Sequence, residues 1–356
     1  TRLYFNEQFD AGGTTGLPKG IMQTHYNWIA TKESFWKYWF KWQDGKEQII
    51  GYQPLYHVYG INVALINGIL SGSTIHILST PDLDDILELT ERHRVSFFGG
   101  VPSLYRMLAD YDKTTRVNWK RVTINLGGAD ALLPDVFMAW KKRTGTEILE
   151  GYGITEATAV GATHVVGKAR MGSFGIPIVN CQMAVIDPET TEFVPPDQIG
   201  ELIMKTPSIM KGYKNQPEET KNTMLKCTGE TWLRTGDLVT MGEDGYFHFY
   251  DKKKDLIKYK GYSVLAKEVE EVITNHPKVR EAGVIGVPDK EVGEIVKAAV
   301  VLEREARGKI SEQEIIDYCK ERLAHYKVPK IVEFRGEIPK TDVGKVSRRE
   351  LKEEVS

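Results

Sequence analysis

Residues 11–20 read AGGTTGLPKG, and the reading of these ten positions decides the fold. Glycine reaches backbone conformations closed to other residues and lets the main chain approach a ligand. Threonine hydroxyls and free backbone N–H groups suit phosphate oxygens, and a lysine adds a mobile point charge. Composition alone leaves a phosphate loop and an ordinary turn about even, since Gly, Thr and Pro punctuate loops generally. The common nucleotide motif needs Ser or Thr directly after Gly-Lys to hold magnesium. Here Pro18 precedes Lys19 and Gly20 follows it. A nucleotide bound by this loop needs a metal ligand from elsewhere in the chain.

Outward from the loop, the bulk properties are ordinary. The chain has 356 residues, 41% hydrophobic and 27% charged, with a net charge of −2. That is the globular range, with room for two domains. The charge implies no attraction to nucleic acid or to a membrane surface. Cys181, Cys227 and Cys319 lie far apart and form no C-x-x-C pair, so neither a zinc site nor a disulfide framework is expected, and a cytoplasmic protein is the simplest reading. The apolar run 61–70 is interrupted by Asn62, Asn67 and Gly68 and is too short to span a bilayer. No signal peptide opens the sequence. TRLYFNEQFD (1–10) leads almost directly into the glycine loop, and residues 3–5 are a poor strand from which to hang it. The expectation is a chain that begins inside a larger protein, or one whose first ten residues are partly foreign or discontinuous.

The first 180 residues alternate helical and short apolar segments. Positions 27–41 read as a helix. Positions 48–52, 74–78, 95–99 and 122–126 read as strands, with helices at 83–93 and 102–110 between them. That alternation predicts a mostly parallel α/β sheet. From Gly172 the texture changes to strands at 182–187, 200–205, 237–241 and 246–250, an antiparallel region. The lysine-dense stretch DKKKDLIKYKGY (251–262) follows. A compact unit then reads helix 266–275, strands 281–287 and 297–303, helix 311–325 and strand 331–335. A domain boundary is expected near 251–255.

Five stretches share glycine, threonine and charge: AGGTTGLPKG (11–20), PLYHVYG (54–60), EGYGITEAT (150–158), WLRTGD (232–237) and PKTDVGKVSRREL (339–351). Singly each is weak. GYGITE fails the dinucleotide fingerprint because Glu156 stands at its third glycine position. In order and spacing, the set resembles the adenylate-forming superfamily of acyl-CoA synthetases, aryl-CoA ligases, firefly luciferase and peptide-synthetase adenylation domains. The resemblance runs from residue 11 to residue 351. It implies an α/β fold: part of the large adenylating domain, with mixed α/β sheet layers plus a β region, over residues 1–250. A hinge at 251–255 and a small, mobile α+β C-terminal domain at 256–356 would follow. Roughly the first half of the large domain would be missing.

The resemblance also implies roles. Thr14, Thr15, Gly16 and Lys19 would cradle the β- and γ-phosphates of ATP. Glu156 would bind Mg2+, since a hard cation wants carboxylate oxygen; the ordinary alternative is a glutamate opening a helix. Thr155 would contact the α-phosphate, and Tyr152, beside Gly153, would stack on adenine. Gly127, Gly128 and Ala129 would line the adenine and acyl pocket. Asp237 would accept from both ribose hydroxyls; alone it is also a common turn residue. His57 would border the acyl carboxylate, although a lone histidine is more often packed or capping. Lys345 would stabilise the charge built when a carboxylate attacks the α-phosphate; alone it would be a solvated tail lysine. Lys252 stands where an arginine usually contacts nucleotide, and keeps the charge without the fork. Lys254 would be the hinge residue. Lys258, Gly261 and Tyr262 would face CoA after the small domain rotates. Asp10 and Ala11 depart from the aromatic and Ser/Thr usual before the glycines.

The function so implied is an ATP-dependent acyl-CoA ligase forming AMP and pyrophosphate. Its substrates would be ATP, CoA and a carboxylic acid; residues 54–60 hold no acid to capture an amino group, which disfavours amino acids, and with the G-G-T-T-G form of the loop this leans to medium- or long-chain fatty acids. Aryl acids, a carrier-protein acceptor, and an inactive nucleotide-binding fragment are the alternatives. A homodimer is compatible with this reading.

Overall fold

The computed structural model describes residues 19–340 and 346–355 with their side chains, and Leu3–Gln8 as backbone. It divides into two units, Thr1–Phe249 and Tyr250–Ser356.

In the first unit, β1 (Leu3–Gln8) pairs antiparallel with β2 (Lys19–Thr24), Leu3 opposite Thr24 and Gln8 opposite Lys19. The opening residues, read as a poor strand, are therefore a strand. Their partner is β2, and pairing with a neighbour overrides the weak strand preference of a sequence such as Asn6-Glu7-Gln8. Thr24 then starts α1 (His25–Thr31) with reciprocal capping bonds to Asn27: the Asn27 N–H donates to Thr24 Oγ1 at 3.3 Å, and the Thr24 N–H donates to Asn27 Oδ1 at 2.8 Å. The helix runs on in π-helical form through Lys32–Trp39.

Five parallel strands follow, with helices between most of them: β3 (Gln48–Gly51), π-helical Gly60–Ile66 continuing as α2 (Asn67–Leu70), β4 (Thr74–Ile77), α3 (Leu83–Arg92), β5 (Phe97–Gly100), α4 (Pro102–Asp110), β6 (Ile124–Gly127), α5 (Pro134–Thr144) and β7 (Leu149–Tyr152). With the short β8 (Ala162–Thr163) and β9 (Ile176–Pro177) they form one sheet in the order β4-β3-β5-β6-β7-β8-β9. Pairing is parallel as far as β7 and antiparallel after it. Successive strand residues face opposite sides. Ile49 and Phe97 enter one core with Trp28, Trp36, Val63 and Leu149. Their neighbours Ile50 and Phe98 enter the other, with Tyr105, Trp119 and Trp140. Both faces are thus covered, which is why these strands read as continuous apolar runs.

The second half of this unit holds β10 (Gln182–Ile186), β11 (Gly200–Lys205), β12 (Gly212–Tyr213), α6 (Pro217–Thr223), β13 (Met224–Cys227), β14 (Glu230–Met241) and the start of β15 (Phe247–Lys252), whose last three residues belong to the second unit. β12 joins β2, and the others form a second sheet in the order β10-β11-β14-β13, with β15 also on β14.

The second unit is built of β16 (Leu256–Tyr259), β17 (Tyr262–Leu265), α7 (Ala266–Thr274), β18 (Val279–Asp289), β19 (Gly293–Leu302), α8 (Glu312–Lys320), β20 (Ile331–Arg335) and α9 (Arg348–Glu353). The sheet order is β17-β16-β19-β18 with β20 parallel to β19. Lys260 (φ 48°) and Gly261 (φ 83°) close the β16–β17 hairpin. Two positive φ angles in a two-residue loop match the right-handed strand twist. The expected helix at 311–325 ends at Lys320 instead, and only a short 3₁₀ turn, His325–Lys327, follows before Pro329. Among the described residues no helix is long and apolar enough to cross a membrane.

Candidate active site

Parallel strands of one sheet end on the same side, and the crevice beyond their C-terminal ends is where such sheets bind ligands. β6 ends at Gly127 and the chain continues through Gly128 and Ala129. β7 ends at Tyr152 and continues through Gly153. The turn after β3 delivers His57. These residues, from two of the quoted motifs and from Gly127–Ala129 between them, line one cavity of about 40 Å³ with Tyr59, Leu126 and Val160. A larger, shallower groove of about 630 Å³ near Asn180–Gln182 and Lys205–Pro207 gathers none of the candidates.

The wall is stiff. Tyr59 and Tyr105 both donate their phenol to the Leu126 carbonyl, at 3.1 and 3.2 Å. Ala129 sits at φ 67°, a conformation that costs a non-glycine residue free energy and marks an over-determined backbone. Beyond β7 the chain folds back on itself, with positive φ at Thr158 and Ala159. A Cβ on Gly153 would lie 1.1 Å from the Ala159 carbonyl oxygen, so only glycine fits.

His57 accepts a bond from the Tyr59 N–H at Nδ1, 3.1 Å. Burial lowers its pKa, so the ring is neutral at pH 7. The capping contact expected of an ordinary histidine is therefore present, at the edge of the cavity. Tyr152 stacks on Phe174, ring centroids 4.6 Å apart at 28°. Its hydroxyl donates to Asp237 Oδ2 at 2.7 Å. Burial, and next the Asp237 carboxylate, hold this phenol protonated far above its usual range. Asp237 is only 3% exposed. Two residues 85 positions apart, both expected at the nucleotide, are thus bonded to each other.

A second group gathers at Tyr213. Its hydroxyl donates to Glu156 Oε1 at 2.8 Å. The Lys19 ammonium lies 5.1 Å from the same ring and is ion-paired with Glu219. Lys19, expected as a point charge at the phosphates, is here mostly buried, and a buried cation needs a counter-ion. Thr155 and Glu156 occupy a single 3₁₀ turn, Thr155–Ala157. Gln23 Nε2 donates to the Thr155 carbonyl at 2.6 Å, and the Met210 N–H to that of Glu156 at 2.7 Å. Among the described residues no three His, Cys, Asp or Glu side chains converge as a metal cage.

Thr14, Thr15, Gly16 and Lys345 lie outside the described residues. Lys252, Lys254, Lys258, Gly261 and Tyr262 belong to the second unit. The Lys252 N–H donates to Asp251 Oδ1 at 2.8 Å, and Lys258 Nζ to Ser263 Oγ at 2.7 Å. Tyr262 is exposed and stacks on Tyr326, 4.6 Å between centroids.

Sequence reading missed Tyr213, Gln23 and Phe174, which stand in no motif. It also gave no role to Glu150, although Glu150 opens the quoted EGYGITEAT. That side chain is buried, and its Oε1 accepts from the Leu132 N–H at 3.1 Å, tying the loop beyond Ala129 to β7. Burial pushes its carboxyl up to about 8. Beside it His164 accepts from the Glu150 N–H at 3.1 Å and is pushed down to about 4, also by burial.

The sequence matches the AMP-binding enzyme family over residues 11–214, and the AMP-binding enzyme C-terminal domain over residues 268–345. The long-chain-fatty-acid–CoA ligase of Bacillus subtilis is 39% identical over 344 residues, 96% of this chain and 60% of that protein. The chain thus spans about three fifths of the length of the curated relatives it matches. Among solved structures, ATP-bound MatB from Rhodopseudomonas palustris has a TM-score of 0.77 at 31% identity, covering 99% of this chain and 67% of that one. The Mycobacterium tuberculosis fatty acyl CoA synthetase has a TM-score of 0.77 at 27% identity, covering 99% and 66%. The expected fold class, part of a large adenylating α/β domain followed by a small α+β domain, is the observed one. The chain belongs to the AMP-binding enzyme family.

Proposed function

We propose that the whole protein is an ATP-dependent acyl-CoA ligase acting on a medium- or long-chain fatty acid. The observation that carries this is the meeting, in one cavity, of His57, Gly128, Ala129, Tyr152 and Gly153, with Asp237 bonded to Tyr152. The residues that line this cavity are those expected beside a nucleoside and an acyl group. A Cβ on Gly128 would meet the Tyr59 ring at 3.5 Å and the Gly151 carbonyl oxygen at 3.7 Å, ordinary contact, so the Gly128 backbone lies close against the cavity wall. Asp237 is a buried carboxylate, the donor-poor, acceptor-rich partner that two ribose hydroxyls need. The names of the relatives, long-chain-fatty-acid–CoA ligases among them, lean the substrate toward fatty acids.

In the first half-reaction a carboxylate oxygen attacks the α-phosphorus of ATP, and pyrophosphate leaves. Two anions must approach, at a cost of about 4 kcal/mol for unit charges 4 Å apart at an effective dielectric of 20. Lys345 is assigned to offset that charge, and Thr14, Thr15 and Gly16 to hold the departing phosphates. Thr155 is assigned to the α-phosphate. Glu156, steadied by the Tyr213 hydroxyl, offers a hard oxygen suited to Mg2+. When bound, that ion would neutralise phosphate charge. Neutral His57 borders the acyl carboxylate without adding a charge of its own. In the second half-reaction the CoA sulfur attacks the acyl carbon and AMP leaves. Lys258, Gly261 and the exposed Tyr262 are assigned to CoA, and residues 251–255 to a hinge between the two steps, with Lys254 as its pivot and Lys252 toward the nucleotide.

The test is ATP–pyrophosphate exchange by the full-length protein against acids from acetate to palmitate, benzoate, coumarate and several amino acids. Exchange confined to one window of aliphatic chain length is expected. Exchange only with aryl acids, or with none in a folded protein, overturns the fatty-acid reading.

A further inference from the structure

Glu150, the first residue of EGYGITEAT, is a buried carboxyl that takes no part in the proposed chemistry. Its main chain is held on the β8 side. The Glu150 N–H donates to His164 Nδ1 at 3.1 Å, and the Glu150 carbonyl accepts from Thr163 Oγ1 at 3.0 Å. The side chain crosses to the loop between β6 and α5, where Oε1 accepts from the Leu132 N–H at 3.1 Å.

That loop carries part of the cavity wall. At its start the Gly128 N–H donates to the Gly100 carbonyl at 3.1 Å, which ties it to β5. At its end Leu132 is buried in a core with Val136, Phe137 and Trp140, its N–H on Glu150. Ala129 lies between these two anchors at φ 67° and lines the cavity. A non-glycine residue stays in that conformation only where its surroundings impose it. On the other wall, Gly151, Tyr152 and Gly153 follow Glu150 directly in the chain. One side chain thus joins the two walls: it stands at the root of one and holds the end of the other.

We propose that Glu150 is a positioning residue for the nucleotide: its carboxyl oxygen holds the Ala129 and Tyr152 walls at the separation a nucleoside needs. The proposal rests on the reading of this cavity as a nucleoside site. A buried N–H without a partner is unfavourable, so loss of the oxygen would let Leu132 move to find one. Ala129 would then relax from its positive φ and carry that wall with it. An uncharged acceptor of the same reach serves equally, since burial already favours the neutral carboxyl.

The experiment uses the full-length protein in two assays, ATP–pyrophosphate exchange and calorimetric titration with AMP. Glu150→Met keeps the reach of the side chain and removes both oxygens. It should raise the KM for ATP and the dissociation constant of AMP by about tenfold each and leave kcat within about twofold, because ground-state and transition-state binding weaken together. Glu150→Gln keeps the acceptor and should match the parent in all three. A residue with only a structural role would lower the active fraction instead, so that kcat falls with KM unchanged. That result, an unchanged KM, or equal effects of the two substitutions overturns the proposal. If Glu150→Met does not fold, Glu150→Asp decides in the same assays, because its carboxyl stops one carbon short of Leu132. A raised KM supports the proposal and a parental KM overturns it. The parent protein tests the underlying reading. If it binds no AMP and supports no exchange, the nucleoside reading falls and the proposal with it. If it does both and Glu150→Met matches it, the proposal alone falls.

Discussion

The Tyr152 hydroxyl donates to a carboxylate that burial has stripped of water. A hydrogen bond to a charged group contributes roughly 1.5–3 kcal/mol, and each 1.4 kcal/mol is tenfold in affinity. Tyr152→Phe keeps the ring on Phe174 and removes only that bond. If Asp237 meets the ribose, the KM for ATP should rise by about tenfold with kcat little changed, read from exchange at varied ATP. An unchanged KM would detach Asp237 from the nucleotide. Lys345→Ala should behave in the opposite way: acyl-AMP formation falls by orders of magnitude while transfer of pre-made acyl-AMP to CoA survives. Equal loss in both steps would remove the role assigned to it. Glu156→Gln keeps an oxygen for the Tyr213 hydroxyl but discards the charge, so the Mg2+ concentration needed for half-maximal exchange should rise.

Elements set the second kind of behaviour. Glu150 stands on β7 and holds the loop after β6. In the unfolded chain its carboxyl ionises near the ordinary 4.5, in the folded protein only near 8. Between those values the folded state binds the extra proton, so stability falls as pH rises through the window, by on the order of several kcal/mol when complete. Glu150→Gln keeps an acceptor for the Leu132 N–H and cannot ionise. Its melting temperature relative to the parent should climb between about pH 4.5 and 8 and then level; a constant offset would deny that the group titrates there. The strands and helices around it were largely legible: α4 and β20 fall on the residues expected, and Ile49-Ile50 and Phe97-Phe98 showed as apolar runs because both faces are covered. What escaped had no local signal. β1 depends on its partner β2, and Tyr213 enters the site from a two-residue strand whose pairing with β2 no periodicity reports. Within the cavity, glycines and Tyr152 were visible as a motif. The ion pair of Lys19 was not, because Glu219 lies 200 residues away.

At the scale of the whole molecule, the unit Tyr250–Ser356 carries its own core, in which Val264, Val269, Val296, Val300 and Ile315 are fully buried. Expressed alone it should melt cooperatively, with an enthalpy of about 75 kcal/mol near 60 °C from the usual per-residue value. A broad, non-cooperative transition would mean that its core is not self-sufficient. The same scale gives meaning to the 1.1 Å approach at Gly153. A glycine required by the carbonyl of Ala159 is required whatever the ligand. In an alignment of relatives it would look as constrained as a catalytic group, yet the constraint would be a steric veto and would say nothing about substrate. At Gly128 a Cβ would meet the Tyr59 ring only at ordinary contact distance, 3.5 Å, so this glycine is under no such veto. Variation at residue 128, rather than invariance at residue 153, is where differences in acyl preference between relatives should be sought.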